Sequence, residues 1–220
     1  MSIEQRVRDH FDADARRFDA IYDEDKGPFA RWMDSVWRGV VRRRRVLTLE
    51  RLAPLAGKRI LDVGCGSGRY CFEYARRGAA SVLGVDFAPA MIELAARQAQ
   101  ALGVADRCEF RIGAFPGAVP ESDFDAATAM GFFDYIADPV PVLAALREKI
   151  RGTLVMSFPK AVEWRVPFRR VRFRLLGCPL FLYTSDRLRA ILSAAGIPRY
   201  DWVELDRDVI IIADLRTPAS

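Results

Sequence analysis

The sequence predicts an α/β fold, and three observations carry that prediction. From Arg59 onward, short apolar runs alternate with longer stretches of helical periodicity, the pattern of strand–helix–strand units. A glycine-rich turn, Gly64-Cys65-Gly66-Ser67-Gly68, joins the first such run to the helix after it. The chain then closes on two apolar runs separated only by Asp206-Arg207-Asp208, a link short enough for a hairpin.

Taken in order, the elements begin with a segment carrying Phe11, Ala15, Phe18 and Tyr22 at helical spacing, which reads as an amphipathic helix with a charged outer face. A longer helix follows Gly27-Pro28 and runs from Phe29 to Leu52, with Trp32, Val36, Val40 and Leu47 as apolar members. Within it Arg42 to Arg45 are four consecutive arginines; four successive helical positions point around more than one face, so they read as solvated, partly snorkelling cations. Residues 53–58 link to the core. Strands are expected at Arg59 to Val63, Ser81 to Val85, Cys108 to Ile112, Phe124 to Met130, Thr153 to Phe158, Tyr200 to Leu205 and Val209 to Leu215. Helices are expected at Arg69 to Arg77, Pro89 to Leu102, Pro139 to Ile150 and, capped by Thr184-Ser185-Asp186, up to Ala195. Gly103, Gly152 and Gly196 read as the stops of the last three.

The glycine turn is where chemistry enters. A strand's carboxyl end feeding a helix's amino end exposes backbone N–H groups at the positive end of a dipole, and glycines keep side chains out of a ligand's way. A dinucleotide fingerprint needs Gly-x-Gly-x-x-Gly, but here the third glycine comes one residue early, at Gly68, and Arg69 stands in its place. The next strand ends in Asp86, 22 residues after Gly64, an acid placed to accept hydrogen bonds from ribose hydroxyls.

Leu61-Asp62-Val63-Gly64-Cys65-Gly66-Ser67-Gly68 and Leu83-Gly84-Val85-Asp86-Phe87-Ala88-Pro89-Ala90-Met91 together resemble the first two motifs of class I S-adenosylmethionine-dependent methyltransferases. In element order the resemblance covers roughly residues 20 to 214. It implies a Rossmann-like, seven-stranded, mostly parallel sheet with an antiparallel last strand, and S-adenosylmethionine as cofactor. It also implies a cofactor site drawn from Asp62, Gly64, Cys65, Gly66, Gly68, Asp86, Phe87, Met91, Gly113, Ala114 and Met130. Where the family commonly has Gly-Asp-Ala after the third strand, this chain has Gly113-Ala114-Phe115, so backbone groups there, or another polar residue, would read the adenine. N-terminal segments of the family often close over the cofactor. Residues 1–55 are therefore expected to be a helical extension, serving either as a lid with Tyr22 near the methyl group or as a helix on the sheet edge, and 56–220 the cofactor-binding core.

Ligands in open α/β sheets lie outside the strands' carboxyl ends, which puts Met130-Gly131-Phe132-Phe133-Asp134-Tyr135 at the active-site wall. Methyl transfer from a sulfonium is an in-line displacement requiring alignment and exclusion of water, and the faces of Phe132, Phe133 and Tyr135 suit a sulfonium cation. Asp134, with Tyr135 and Tyr22, is the candidate catalytic set; the competing reading of Asp134 is a cap for the helix starting near Asp138-Pro139. His10, the sole histidine, is a weaker candidate base.

Residues 159–183 hold Lys160, Arg165, Arg169, Arg170, Arg172 and Arg174 against the single acid Glu163, with Trp164, Phe168, Phe173, Phe181 and Tyr183 interleaved. This insert carries a formal +5, equal to the net charge of the whole chain. It reads either as a surface for an anionic acceptor or as an amphipathic helix with solvated arginines. The layout looks distantly like the O-methyltransferases of tetrapyrrole synthesis, and a small, anionic acceptor methylated at oxygen is the expected substrate. RNA methylation is the rival suggested by a pI of 9.2, against which no Asn/Asp-Pro-Pro-Tyr motif occurs; a non-catalytic S-adenosylmethionine-binding regulatory protein is the third reading. Four cysteines without a C-x-x-C pair are expected to be reduced packing residues. A single histidine and no clustered acids argue against a metal. No signal-like or membrane-length apolar run is present, so a cytoplasmic protein is expected.

Overall fold

The computed structural model describes residues 42–161, 180–205 and 207–216. Tyr22, His10, Cys178 and most of the basic insert lie outside them. Among the described residues no helix is long and apolar enough to cross a membrane.

Seven strands form one sheet: β1 (Arg59–Val63), β2 (Ser81–Asp86), β3 (Cys108–Ile112), β4 (Phe124–Ala129), β5 (Ile150–Pro159), β6 (Asp201–Leu205) and β7 (Asp208–Asp214). Their order is β3-β2-β1-β4-β5-β7-β6. Pairings from β3 through β5 are parallel, and β7 runs antiparallel to both its neighbours, as the sequence led us to expect. The helices are α1 (42–52), α2 (Arg69–Arg76), α3 (Pro89–Ala101), α4 (Pro139–Lys149) and α5 (Ser185–Ala194), with one 3-10 turn at Phe133–Tyr135. Because β1–β3 progress outward on one side while β4 pairs on the other side of β1, the chain reverses direction between β1 and β4. Ligands of open α/β sheets bind at the carboxyl ends flanking such a reversal.

Strand alternation builds two cores. Ile60, Val82, Ala126, Val155, Ile210 and Ile212 face α1, α2 and α3, whereas Leu61, Val63, Leu83, Ala127, Leu154, Met156 and Ile211 face α4 and α5; successive side chains of a strand point to opposite faces. The amino end of α5 is capped as read from the sequence, whereas the cap of α4 is Asp138 and not Asp134, the residue offered for that role. Asp138 accepts the Val140 N–H, and Thr184 accepts the Arg187 N–H, each occupying one otherwise unpaired donor of the first turn.

The largest difference from an expected boundary is at the start of β5. Gly152, read as a helix stop, lies inside β5: Ile150 is already extended at φ −121°, and the strand begins there by pairing with Phe124.

Candidate active site

Gly64, Gly66 and Gly68 adopt φ of 70°, 52° and 79°, the left-handed region that side chains disfavour. The turn is anchored by Gly64 and Cys65 N–H groups donating to Val85 O at 2.8 and 3.1 Å, and by Gly68 N–H donating to Cys65 O at 3.0 Å. A Cβ on Gly64 would lie 2.8 Å from the Phe132 ring, and one on Gly68 would lie 2.8 Å from the Phe72 ring. Those two glycines are thus demanded by packing as well as by φ. Among the described residues a Cβ on Gly66 would meet nothing within 4 Å, so this position faces space that a ligand group can occupy.

Asp86, at the end of β2, accepts the Gly66 N–H on Oδ2 at 3.0 Å and the Ala88 N–H on Oδ1 at 2.9 Å. It thereby ties the glycine turn to the start of α3. A carboxylate offers about four acceptor directions, so holding these two amides is compatible with also accepting from ribose hydroxyls. Phe87 beside it is half-buried, and Met91 is buried among Ala88 and Ala90. Gly113 donates its N–H to Asp86 O at 2.9 Å, holding β3's end against β2's. Ala114 is exposed.

Asp62 sits beneath the turn, 2% exposed. Thr128 Oγ1 donates to its Oδ1 at 2.7 Å, Tyr74 Oη donates to Thr128 Oγ1 at 3.2 Å, and Cys71 Sγ donates to Oδ2 at 3.4 Å. Burial pushes the Asp62 carboxyl up to about 6, against the pull of the Thr128 and Cys71 hydrogen bonds. Its side chain is committed to the floor of the site. Cys65 and Cys71 are buried free thiols whose sulfurs both lie against Gly84, and burial pushes the Cys71 thiol well up, as suits packing residues.

The β4 end supplies the next wall. Met130 is half-buried, with Thr48 Oγ1 3.9 Å from its sulfur. Gly131 N–H donates to the buried Ser157 Oγ at 2.7 Å. Phe132 covers Gly64 and meets Phe133 edge-on at 5.3 Å. The expectation that Phe133 borders the cofactor is corrected: it is 0% exposed and stacked on Phe158 at 4.5 Å, facing the core. Asp134 and Tyr135 are half-buried in the 3-10 turn. That turn is fixed from the far side of the insert, because Phe181 N–H donates to Asp134 O at 2.8 Å and Tyr183 Oη donates to Phe133 O at 3.1 Å.

The reading of Arg42 to Arg45 as solvated, partly snorkelling cations is corrected at Arg44. Arg44 turns inward and its Nη2 pairs with Asp208, a carboxylate 1% exposed at the start of β7, while its side chain is 12% exposed. Arg44 Nη1 lies 4.0 Å from the Cβ position of Gly131, and its buried Nε has no hydrogen-bond partner among the described residues. A desolvated guanidinium therefore stands at the carboxyl edge beside β4. Sequence reasoning missed Arg44, Ser157 and Asp208; an acid directly before the apolar run of β7 was the one available signal, and it read as a turn residue.

A family model described as a methyltransferase domain matches residues 55–172, more than half of the chain. A ubiquinone biosynthesis O-methyltransferase of Neisseria meningitidis is 38% identical over 109 residues, 48% of this chain and 45% of that protein. A tRNA U34 carboxymethyltransferase of Marinobacter nauticus is 31% identical over 180 residues, 74% of this chain and 53% of that protein. The chain spans about half the length of these relatives. Among solved structures, magnesium protoporphyrin IX methyltransferase from Synechocystis with bound SAH superposes with a TM-score of 0.72 at 20% identity, covering 96% of this chain and 99% of that one.

Proposed function

We propose that this chain, which belongs to the S-adenosylmethionine-dependent methyltransferase family, transfers the methyl group of that cofactor to an oxygen of a small anionic acceptor at the carboxyl edge of β4 and β5. The cofactor supplies an electrophilic methyl on a cationic sulfur. In this reading the open face of Gly66 receives it, with Gly64, Cys65 and Gly68 shaping the turn and Asp62 bracing it from below. Asp86 holds the ribose, and Phe87, Met91, Gly113, Ala114 and Met130 surround the remainder. Phe132 and Tyr135 flank the transfer path, and Asp134 receives the acceptor proton or anchors the acceptor. Tyr22 closes the site as part of an N-terminal lid over residues 1–55.

The observation that carries the anionic acceptor is Arg44. A guanidinium has five donors, and this one is desolvated and held in place by Asp208 beside Gly131. Charge-assisted, bidentate recognition of a carboxylate or phosphate is what such a group does best. The name of the Neisseria relative supports oxygen as the methylated atom.

The test is transfer of labelled methyl to a dihydroxybenzoate and to catechol, which lacks its carboxylate. The carboxylated compound should be preferred, and Arg44→Met should abolish the preference while S-adenosylmethionine affinity holds. A preference that survives Arg44→Met removes Arg44 from the acceptor site. A second reading, transfer to RNA, is favoured by the coverage of the Marinobacter relative. It predicts that log affinity for RNA falls linearly with log salt.

A further inference from the structure

The amino edge of the sheet, opposite the methyl-transfer site, holds a second constellation. Along β4 and β5 the register steps from Phe124↔Ile150 to Ala126↔Thr153, so one additional residue of β5 is accommodated as a bulge around Arg151 and Gly152. Bulges bend a strand locally and re-aim its side chains. A Cβ on Gly152 would lie 2.0 Å from Asp125 O, so only glycine permits this approach.

A cavity of about 120 Å³ opens there, lined by Lys58, Asp125, Arg151, Gly152, Thr153 and Arg216. Three cations and one carboxylate line it, with the carboxylates of Asp123 and Asp214 at the rim, and Asp125 accepts the Arg59 N–H on Oδ2 at 2.8 Å. At the rim Arg151 pairs with Asp123 at 2.5 Å, and Arg216 pairs with Asp214 through Nε at 2.9 Å and Nη2 at 2.6 Å. Lys58 Nζ donates to Leu52 O at 2.8 Å. An ammonium has three donors and a guanidinium five, so these contacts leave N–H capacity on each cation. Lys58 and Arg216 also oppose one another: burial first and the Arg216 charge second push the Lys58 ammonium below its usual range.

We propose that this cavity binds a tetrahedral oxyanion, phosphate or a phosphate monoester, held by Lys58, Arg151 and Arg216. A dianion placed among the three would relieve the Lys58–Arg216 repulsion and join the residues preceding β1, the bulge of β5 and the segment after β7. The bound anion would stabilise the folded chain by mass action. The site is separate from the methyl-transfer site, so neither reading depends on the other.

The test is calorimetric titration of the SAH-saturated protein with inorganic phosphate and with glycerol 3-phosphate in a zwitterionic buffer, with chloride at matched ionic strength as control. Phosphate should bind and raise Tm where chloride does not, and Arg151→Gln and Lys58→Met should each weaken it about tenfold. SAH affinity should stay unchanged in both variants, which reports that they fold. Tighter binding of glycerol 3-phosphate would place the natural anion on a phosphorylated metabolite, and tighter binding of phosphate would make it the free ion. Absence of phosphate binding, or binding unaffected by Arg151→Gln, would overturn the proposal.

Discussion

Asp86→Ala separates the two tasks of this carboxylate. The side chain accepts the Gly66 and Ala88 N–H groups at 3.0 and 2.9 Å, and Ala88 is fully buried. A hydrogen bond to a charged group contributes about 1.5–3 kcal/mol, and a buried donor left without a partner costs about 1–3 kcal/mol. Water can reach the Gly66 amide across its open face, so the expected loss is about 2–4 kcal/mol rather than the full sum of both bonds. For a chain of this size that lowers Tm by roughly 4–16 °C. If the carboxylate also holds the ribose, S-adenosylmethionine affinity falls by a further 10- to 150-fold, about 1.5–3 kcal/mol. Differential scanning calorimetry measures the first quantity and isothermal titration the second. An unchanged Tm would refute the bracing of the glycine turn by Asp86, and an unchanged dissociation constant would refute its place at the ribose.

Asp62 predicts a pH dependence. Its carboxyl is raised in the folded state to about 6, so the stability it contributes is complete below its ordinary unfolded value and is lost as pH rises through about 6. Wild type minus Asp62→Asn, measured by denaturant unfolding, should therefore decline by about 3 kcal/mol between roughly pH 4 and 7; a difference independent of pH contradicts the buried carboxyl. Gly84→Ala would set a Cβ 2.9 Å from both Cys65 Sγ and the Phe110 ring, and should cost about 1–3 kcal/mol in a thermal melt, whereas a neutral result would mean that this wall yields freely. Thr184→Ala removes the cap of α5 and should cost about 1 kcal/mol, detectable as a small fall in Tm.

What was legible in the sequence is what local chemistry determines. The glycine turn, its spacing to Asp86, the strand alternation and the cap at Thr184 are each written in a few neighbouring residues. The facing of Phe133 was not, because Phe132 and Phe133 are equally apolar neighbours. A 3-10 turn held by Tyr183, 50 residues away, decides which one is buried. Arg44 was illegible for a similar reason. Within four identical arginines no pattern selects one, and its partner Asp208 lies 164 positions along the chain. Gly152 misled because a glycine after a helical pattern reads as a stop, whereas here it makes room for the Asp125 carbonyl of the neighbouring strand.

Titration of Gly66→Ala with S-adenosylmethionine probes whether the open face of Gly66 receives that cofactor. The added methyl meets no atom of the described residues within 4 Å, so the folded chain should lose only the left-handed strain of about 1–2 kcal/mol. S-adenosylmethionine affinity should nevertheless fall by at least about a hundredfold, because the methyl would occupy space the ligand needs. Gly66→Ala binding S-adenosylmethionine as tightly as wild type would contradict it.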